Sequence, residues 1–370
     1  MPLPAAYDPR HSLNAICPYF TMFPLEFPLS ALSRVPDARI VVDPFCGRGT
    51  TLYAARATQR KTFGVDCSPV AVAISKAKLA TASKSDVLDL ARKLLERSDD
   101  VDLPHGRFWR LAYKPSVLKK ICVLRMGLLA DASPEAAILR AIVMGVLHGP
   151  VTGVGSYLSN QMQRTFAPKP DYAIRFWNER DMKAPKIDVL AAIERKANHV
   201  FRSPAFHFQE TRLADVVHGD AGEPSTWKYA PAGIDAVVTS PPYYGMRTYV
   251  PDQWLRNWFV GGPDTVDYSD DGRVPSSSPD VFAKGLAKVW DRIGAHAGDN
   301  LHMFVRFGVL PSRKIDAREL LFQSFEESKY DWKRVYTKCA STASKGRRQA
   351  AQMRDPDTAE TEFDAHLRLI

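Results

Sequence analysis

Residues 39–58 read RIVVDPFCGRGTTLYAARAT, and the fold class follows from them. Arg39 to Asp43 is a short apolar run ending on an acid, Gly47 and Gly49 punctuate a turn, and Leu52 to Thr58 has the composition of a helix. That is strand, glycine turn, helix. Residues 61–66, KTFGVD, repeat the strand pattern with Asp66 at the tip, and Ser68-Pro69 then offers a side-chain cap and a first-turn proline to a second helix. Two βα units side by side predict a parallel sheet covered by helices.

Further along, 213–217, 234–238 and 301–307 repeat the strand pattern. Between residues 83 and 205 no strand pattern is convincing, and 85–97, 116–129 and 134–147 carry apolar residues at three-four spacing. The predicted architecture is α/β and Rossmann-like, with a mostly parallel sheet built from both flanks of a helical insertion. Residues 1–82 form its first part, 83–205 the insertion, and 206–370 the second part.

The stretch 234–245, IDAVVTSPPYYG, carries the second signal. Its apolar run suits a strand buried on both faces, and Pro241 and Pro242 cannot donate to a ladder, so the strand ends at Thr239 or Ser240. Ligands of open parallel sheets collect outside the carboxyl ends of the strands, where this polar, aromatic tip is expected. A double proline at a strand tip has few purely structural uses.

At 370 residues and 45% hydrophobic, the chain can bury a large core. Fifty Lys and Arg against 41 Asp and Glu give +9, which suits a polyanionic partner without requiring one. Cys17, Cys46, Cys67, Cys122 and Cys339 lie far apart without metal-ligand spacing, so neither a metal site nor a disulfide framework is expected. No basic-then-apolar leader is legible, and no apolar run reaches the roughly 20 residues of a membrane span. A soluble, cytoplasmic protein of a prokaryote is the expectation.

Gly47 and Gly49 let backbone approach a ligand at a helix start, where free N–H groups favour an anion. Asp66, 19 residues beyond Gly47, is placed to accept hydrogen bonds from ribose hydroxyls. The third glycine of a dinucleotide fingerprint is missing, Leu52 standing in its place. The same glycines also describe a turn that merely joins strand to helix, but with Asp66 they point to a nucleoside-containing cofactor.

Taken together these motifs resemble the S-adenosylmethionine-dependent amino-methyltransferases of DNA, and among them the cytosine-N4 type with its Ser-Pro-Pro-Tyr tetrapeptide. The likeness covers the motifs of residues 11–80 and 211–310. CPYFTMFP at 17–24 is similar to the family's N-terminal cofactor motif, with Phe20, Thr21 and Phe23; DPFCGRGTT supplies Asp43, Phe45, Gly47, Gly49, Thr50 and Thr51. GVD at 64–66 looks like the ribose-binding acid, and VVHGDA at 216–221 resembles the motif whose acid, Asp220, meets the adenine amino group. The resemblance implies a class I methyltransferase fold, S-adenosylmethionine as cofactor, double-stranded DNA as substrate, and catalysis at Ser240, Pro241, Pro242 and Tyr243. It further implies a restriction-modification or self-marking setting, with a cognate restriction endonuclease as a candidate partner.

Plainer readings stand beside these. Asp220 also fits a turn cap before Gly222, Asp43 a βα-turn cap, Phe20 and Phe23 core residues, and His11 and His218 structural or solvent-facing positions. The absence of a Pro-Cys dipeptide argues against a cysteine nucleophile, leaving amino methylation. Ser240, in place of Asp or Asn, favours cytosine N4 over adenine N6. Gly245 echoes the Asp-Pro-Pro-Tyr-Gly of some guanine-N2 RNA enzymes, and a non-catalytic DNA-binding subunit is a fourth reading.

Two stretches are candidates for gripping DNA. In SNQMQRTFAPKPDYAIRFW, residues 159–177, Arg164, Lys169 and Arg175 alternate with Phe166, Tyr172 and Trp177, as phosphate contact and base stacking need and as an amphipathic helix start also provides. Residues 333–354 carry seven Lys or Arg and no acid, and read as an exposed loop between the last strands, with Lys345, Arg347 and Arg348 set for phosphates. A solvated basic loop without a partner has the same pattern.

Overall fold

Val41 and Val42 are neighbours on strand β1 (Ile40–Asp43), and both are fully buried although they face opposite ways. Only a strand covered on both faces allows that. The computed structural model describes residues 9–19, 23–98, 100–150, 156–160, 169–203, 214–245, 249–266, 274–309, 315–340 and 362–370.

Beside β1 run β2 (Lys61–Asp66), β3 (Ala214–His218), β4 (Ile234–Thr239), β5 (Ala297–Phe307), β6 (Trp332–Cys339) and β7 (Phe363–Leu369). They form one seven-stranded sheet in the order β3-β2-β1-β4-β5-β7-β6. The pairs from β3 through to β5 are parallel, while β7 runs antiparallel to both β5 and β6. This is the sheet of the Rossmann-like class I methyltransferase fold. Because the chain moves outward from β1 to β2 and β3, then returns to β4 on the other side, the strand order reverses between β1 and β4. A crevice opens at such a switch point, outside the carboxyl ends of the strands.

The helices are α1 (Glu26–Ser33), α2 (Thr50–Ala57), α3 (Pro69–Leu79), α4 (Lys84–Leu95), α5 (Arg107–Ala112), α6 (Pro115–Leu129), α7 (Pro134–Val146), α8 (Pro170–Asn178), α9 (Val189–Val200), α10 (Tyr249–Asp252), α11 (Trp254–Phe259), α12 (Pro279–Ala295) and α13 (Ala317–Glu326). On one face, Val41, Ala236 and Val238 join a core with α1 to α9 and α11. On the other, Val42, Phe63, Val65 and Val237 pack with α12 and α13. The inserted helices α4 to α9 therefore extend the first core and do not build one of their own. Local signals hold where they were read: the Ser68 side chain accepts from the Ala71 amide with Pro69 in the first turn, and β4 stops at Thr239 before the prolines.

The C-terminal edge corrects one expectation. The basic stretch read as a loop from residue 333 begins instead inside β6, the outer strand of the sheet. Its alternation is hidden by a register shift between Arg334 and Tyr336. The guanidinium of Arg334 lies 4.9 Å from the Phe322 ring on α13, whereas Tyr336 lies under Arg34, 5.3 Å from its ring centre, near α1. One extra residue sends successive side chains to opposite faces, and a period-two pattern cannot survive it. Exposed Lys333, Arg334 and Lys338 also suit an edge that has to repel other strands. Lys345, Arg347 and Arg348 lie outside the described residues. Among the described residues, no helix is long and apolar enough to cross a membrane.

Candidate active site

The carboxyl end of β1 meets that of β4 through side chains. Thr239 Oγ1 donates to Asp43 Oδ1 at 2.6 Å, and the Phe45 amide donates to the same oxygen at 3.2 Å. Asp43 is thus the turn cap that its position allowed. It is fully buried, and its Oδ2 has no hydrogen-bond partner. Burial pushes its pKa up to about 7, against the bonds from Thr239 and Phe45. Thr51 Oγ1 donates to the Val238 carbonyl at 2.8 Å, tying α2 to β4, and Thr50 is buried beside it.

The glycine turn is shaped by two positive φ angles, +50° at Gly47 and +72° at Gly49. A Cβ at Gly49 would stand 2.6 Å from Ser75 Oγ, so α3 excludes any larger residue there. At Gly47 the same construction meets only Tyr19 Cε1, at 4.0 Å, so the turn is open on that side. Asp66 closes the other: its Oδ2 accepts from the Gly47 amide at 2.7 Å and its Oδ1 from the Ser68 amide at 2.8 Å. Burial raises the Asp66 pKa while the two amides oppose the rise. Each carboxylate oxygen keeps a lone pair for a further donor. An open cradle beside a held carboxylate fits a ribose-bearing cofactor.

Asp220 follows β3, next to the Asp66 tip, since the Gly219 amide donates to the Asp66 carbonyl at 3.0 Å. One of its oxygens accepts from the Gly222 amide at 2.8 Å, which is the turn-capping role. Phe45 packs edge-on against Trp290 at 6.4 Å, and Phe23 against Phe27 at 5.2 Å, so both rings serve the packing. Phe20 and Thr21 lie outside the described residues.

Beyond Thr239, Ser240 is half-buried, Pro241 buried, and Pro242 and Tyr243 half-buried. The Tyr243 hydroxyl donates to the Glu362 carboxylate, and its ring meets Phe307 edge-on at 6.1 Å. Tyr244 is buried, pairs with Val309 and sets its ring against Phe282 at 5.5 Å. The turn after Ser240 is therefore clamped by the end of β5 and the start of β7. Glu362 escaped the sequence reading because 119 residues separate it from Tyr243, and only the antiparallel return of β7 joins them.

On the insertion, Lys169 precedes α8 and Arg175 stands on its exposed face, while Arg164 lies outside the described residues. Trp177 is corrected: it is fully buried, with its ring 5.5 Å from Phe108, and cannot stack on a base. A basic surface that the sequence reading missed lies next to it. Residues 103–130 contain no acid, and Arg107, Arg110, Lys114, Lys119 and Lys120 are all exposed. Phe108 and Trp109 on the same helix α5 pack on Trp254 at 4.8 and 5.7 Å, at the head of α11 in the segment that follows the Ser240 turn. The acid-free run was its sequence signal. Among the described residues, no three His, Cys, Asp or Glu side chains gather as metal ligands would.

No family model and no curated protein matches the chain. Two solved structures of the rRNA methyltransferase aviRa from Streptomyces viridochromogenes align with it at TM-scores of 0.34 and 0.33, each 13% identical. The first alignment covers 97% of this chain and 92% of the other; the second covers 96% and 89%. Likeness at that level carries no weight for activity, and the fold assignment rests on the strand order.

Proposed function

We propose that the chain transfers the methyl group of S-adenosylmethionine to the exocyclic N4 amino group of cytosine in double-stranded DNA, in a restriction-modification or self-marking setting. The observation that carries this reading is the meeting of two half-sites at the switch point. Asp66 and the open Gly47 turn stand on one side, and the clamped Ser240–Tyr243 turn on the other, joined by the Asp43–Thr239 bond.

When bound, S-adenosylmethionine supplies an electrophilic methyl group on its sulfonium. Asp66 accepts hydrogen bonds from the ribose hydroxyls. The amino nitrogen of cytosine is a poor nucleophile because its lone pair is delocalised into the ring. Ser240 Oγ and a carbonyl of Ser240 or Pro241 accept its two hydrogens, which favours a pyramidal nitrogen aimed at the methyl group. Neither proline has an N–H to compete for those carbonyls. Tyr243 offers a ring to an extruded base, held by Phe307 and Glu362. The contribution is positioning and electrostatics, with no covalent bond to the enzyme. The exposed cations of α5 and α6, with Lys169 and Arg175, suit the flanking phosphates.

The test is incubation with unmethylated duplex DNA and methyl-labelled cofactor, then nucleoside analysis. N4-methylcytosine is expected. N6-methyladenine would overturn the choice of base, label found only in RNA would overturn the substrate, and no label in either would overturn the activity.

A further inference from the structure

Arg48 stands between the two glycines of the turn, and its Nε is buried without a hydrogen-bond partner. It lies within electrostatic reach of Lys78 on α3 and of Cys17. Lys78 is fully buried, and its ammonium has one neutral partner, Asn14 Oδ1 at 2.8 Å. A third cation reaches the same turn from the insertion: Lys196 Nζ on α9 donates to the Ala15 carbonyl at 3.1 Å. A Cβ built on Gly145 would stand 3.2 Å from Lys196 Cε and 3.6 Å from Cys17 Cα, so these two are close neighbours. Burial lowers the pKa of all three cations. None of them pairs with an acid among the described residues.

Buried positive charge without a counter-charge is costly, and three elements converging with it on residues 14–17 describe a place completed by an anion. The site is small and interior, which suits a single carboxylate at the end of a ligand and not a polymer backbone. Its position selects the ligand. Arg48 follows Gly47, whose amide holds the ribose-binding Asp66, and the residue 14–17 turn leads into the segment that resembles the N-terminal cofactor motif. We propose that Arg48, Lys78 and Lys196 form the anion site for the α-carboxylate of S-adenosylmethionine. This rests on the cofactor assignment above and adds to it the residues that select the amino-acid end.

The test is calorimetric titration with S-adenosylhomocysteine and with 5′-methylthioadenosine, which shares the adenosine and the sulfur but lacks the amino-acid chain. The parent is expected to bind S-adenosylhomocysteine the more tightly. Arg48→Met should lose about 10- to 100-fold for that ligand, the scale of hydrogen bonds to a charged group, and nothing for 5′-methylthioadenosine. Arg48→Lys, which keeps the charge, should recover part of the difference. Lys78 adds an independent readout. The charged and titratable groups that face it are Arg48, Cys17 and Cys46, and an arriving carboxylate raises its lowered pKa. Binding of S-adenosylhomocysteine should therefore take up a proton, read from the buffer dependence of the heat, and Lys78→Met should abolish the uptake. Equal losses for both ligands, or an unchanged affinity of Arg48→Met, would overturn the inference alone. A parent that binds neither ligand would overturn the cofactor assignment with it.

Discussion

The two halves of the site are held by different means. The Asp66 half lies within residues 40–68, and backbone amides close it: Gly47 and Ser68 onto Asp66, Phe45 onto Asp43. The Ser240 half is closed by side chains from far along the chain, with Phe307 and Glu362 on Tyr243 and Val309 beside Tyr244. A site made of backbone bonds over a short span is written in consecutive residues. One made of distant side chains depends on the antiparallel edge that delivers them, so damage to that edge should reach the second half and spare the first.

The largest expected effect is at the edge itself. Arg306 and Asp364 form a buried bidentate pair at 2.7 and 3.0 Å between β5 and β7, with the guanidinium 4.4 Å from the Phe27 ring centre. Leaving one partner of such a pair uncompensated costs about 3–5 kcal/mol, so Asp364→Asn should shift the urea midpoint strongly. Since Glu362 lies two residues away, the folded fraction should transfer methyl groups more slowly and bind cofactor as before. Next is Ser240→Ala, expected to lower the single-turnover transfer rate about 10²- to 10³-fold, the scale for removing one preorganised hydrogen-bonding group. A rate within a few-fold of the parent would move the chemistry to another residue.

Asp43 gives a smaller effect with a defined sign. Its folded-state pKa is raised from 3.8 to about 7, so the proton it holds stabilises the fold fully below pH 3.8, and that contribution is lost as pH rises through 7. Relative to Asp43→Asn, the parent should lose stability between pH 5 and 7 at about 1 kcal/mol per pH unit, in denaturant melts at each pH. Parallel curves would place an ordinary, exposed carboxylate there. The smallest change is Glu362→Gln, which keeps an acceptor for the Tyr243 hydroxyl and removes only its charge. A loss of about 1 kcal/mol in kcat/KM for DNA is expected, with cofactor affinity unchanged.

The same contrast explains what the sequence made legible. Ser68-Pro69, the end of β4 before Pro241, and Asp66 at a strand tip are signals within a few residues, and each stands where it was read. Strand β6 was lost because the shift at Arg334/Tyr336 breaks its alternation, and its basic residues look like a solvated loop. Trp177 looked like a stacking ring because its basic neighbours lie on the exposed face of α8 while it lies on the buried one. Arg48 was visible inside the quoted turn, but nothing in a linear reading shows that α3 and α9 bring Lys78 and Lys196 to the same place.

The central claim is that one half-site binds and the other reacts, and titration of S-adenosylhomocysteine into the parent, Asp66→Ala and Ser240→Ala proteins tests it most directly. Asp66→Ala should bind about 1.5–3 kcal/mol more weakly, the scale of hydrogen bonds to a charged acceptor, while Ser240→Ala binds as the parent does. An unchanged affinity for Asp66→Ala, or an equal loss for Ser240→Ala, would contradict it.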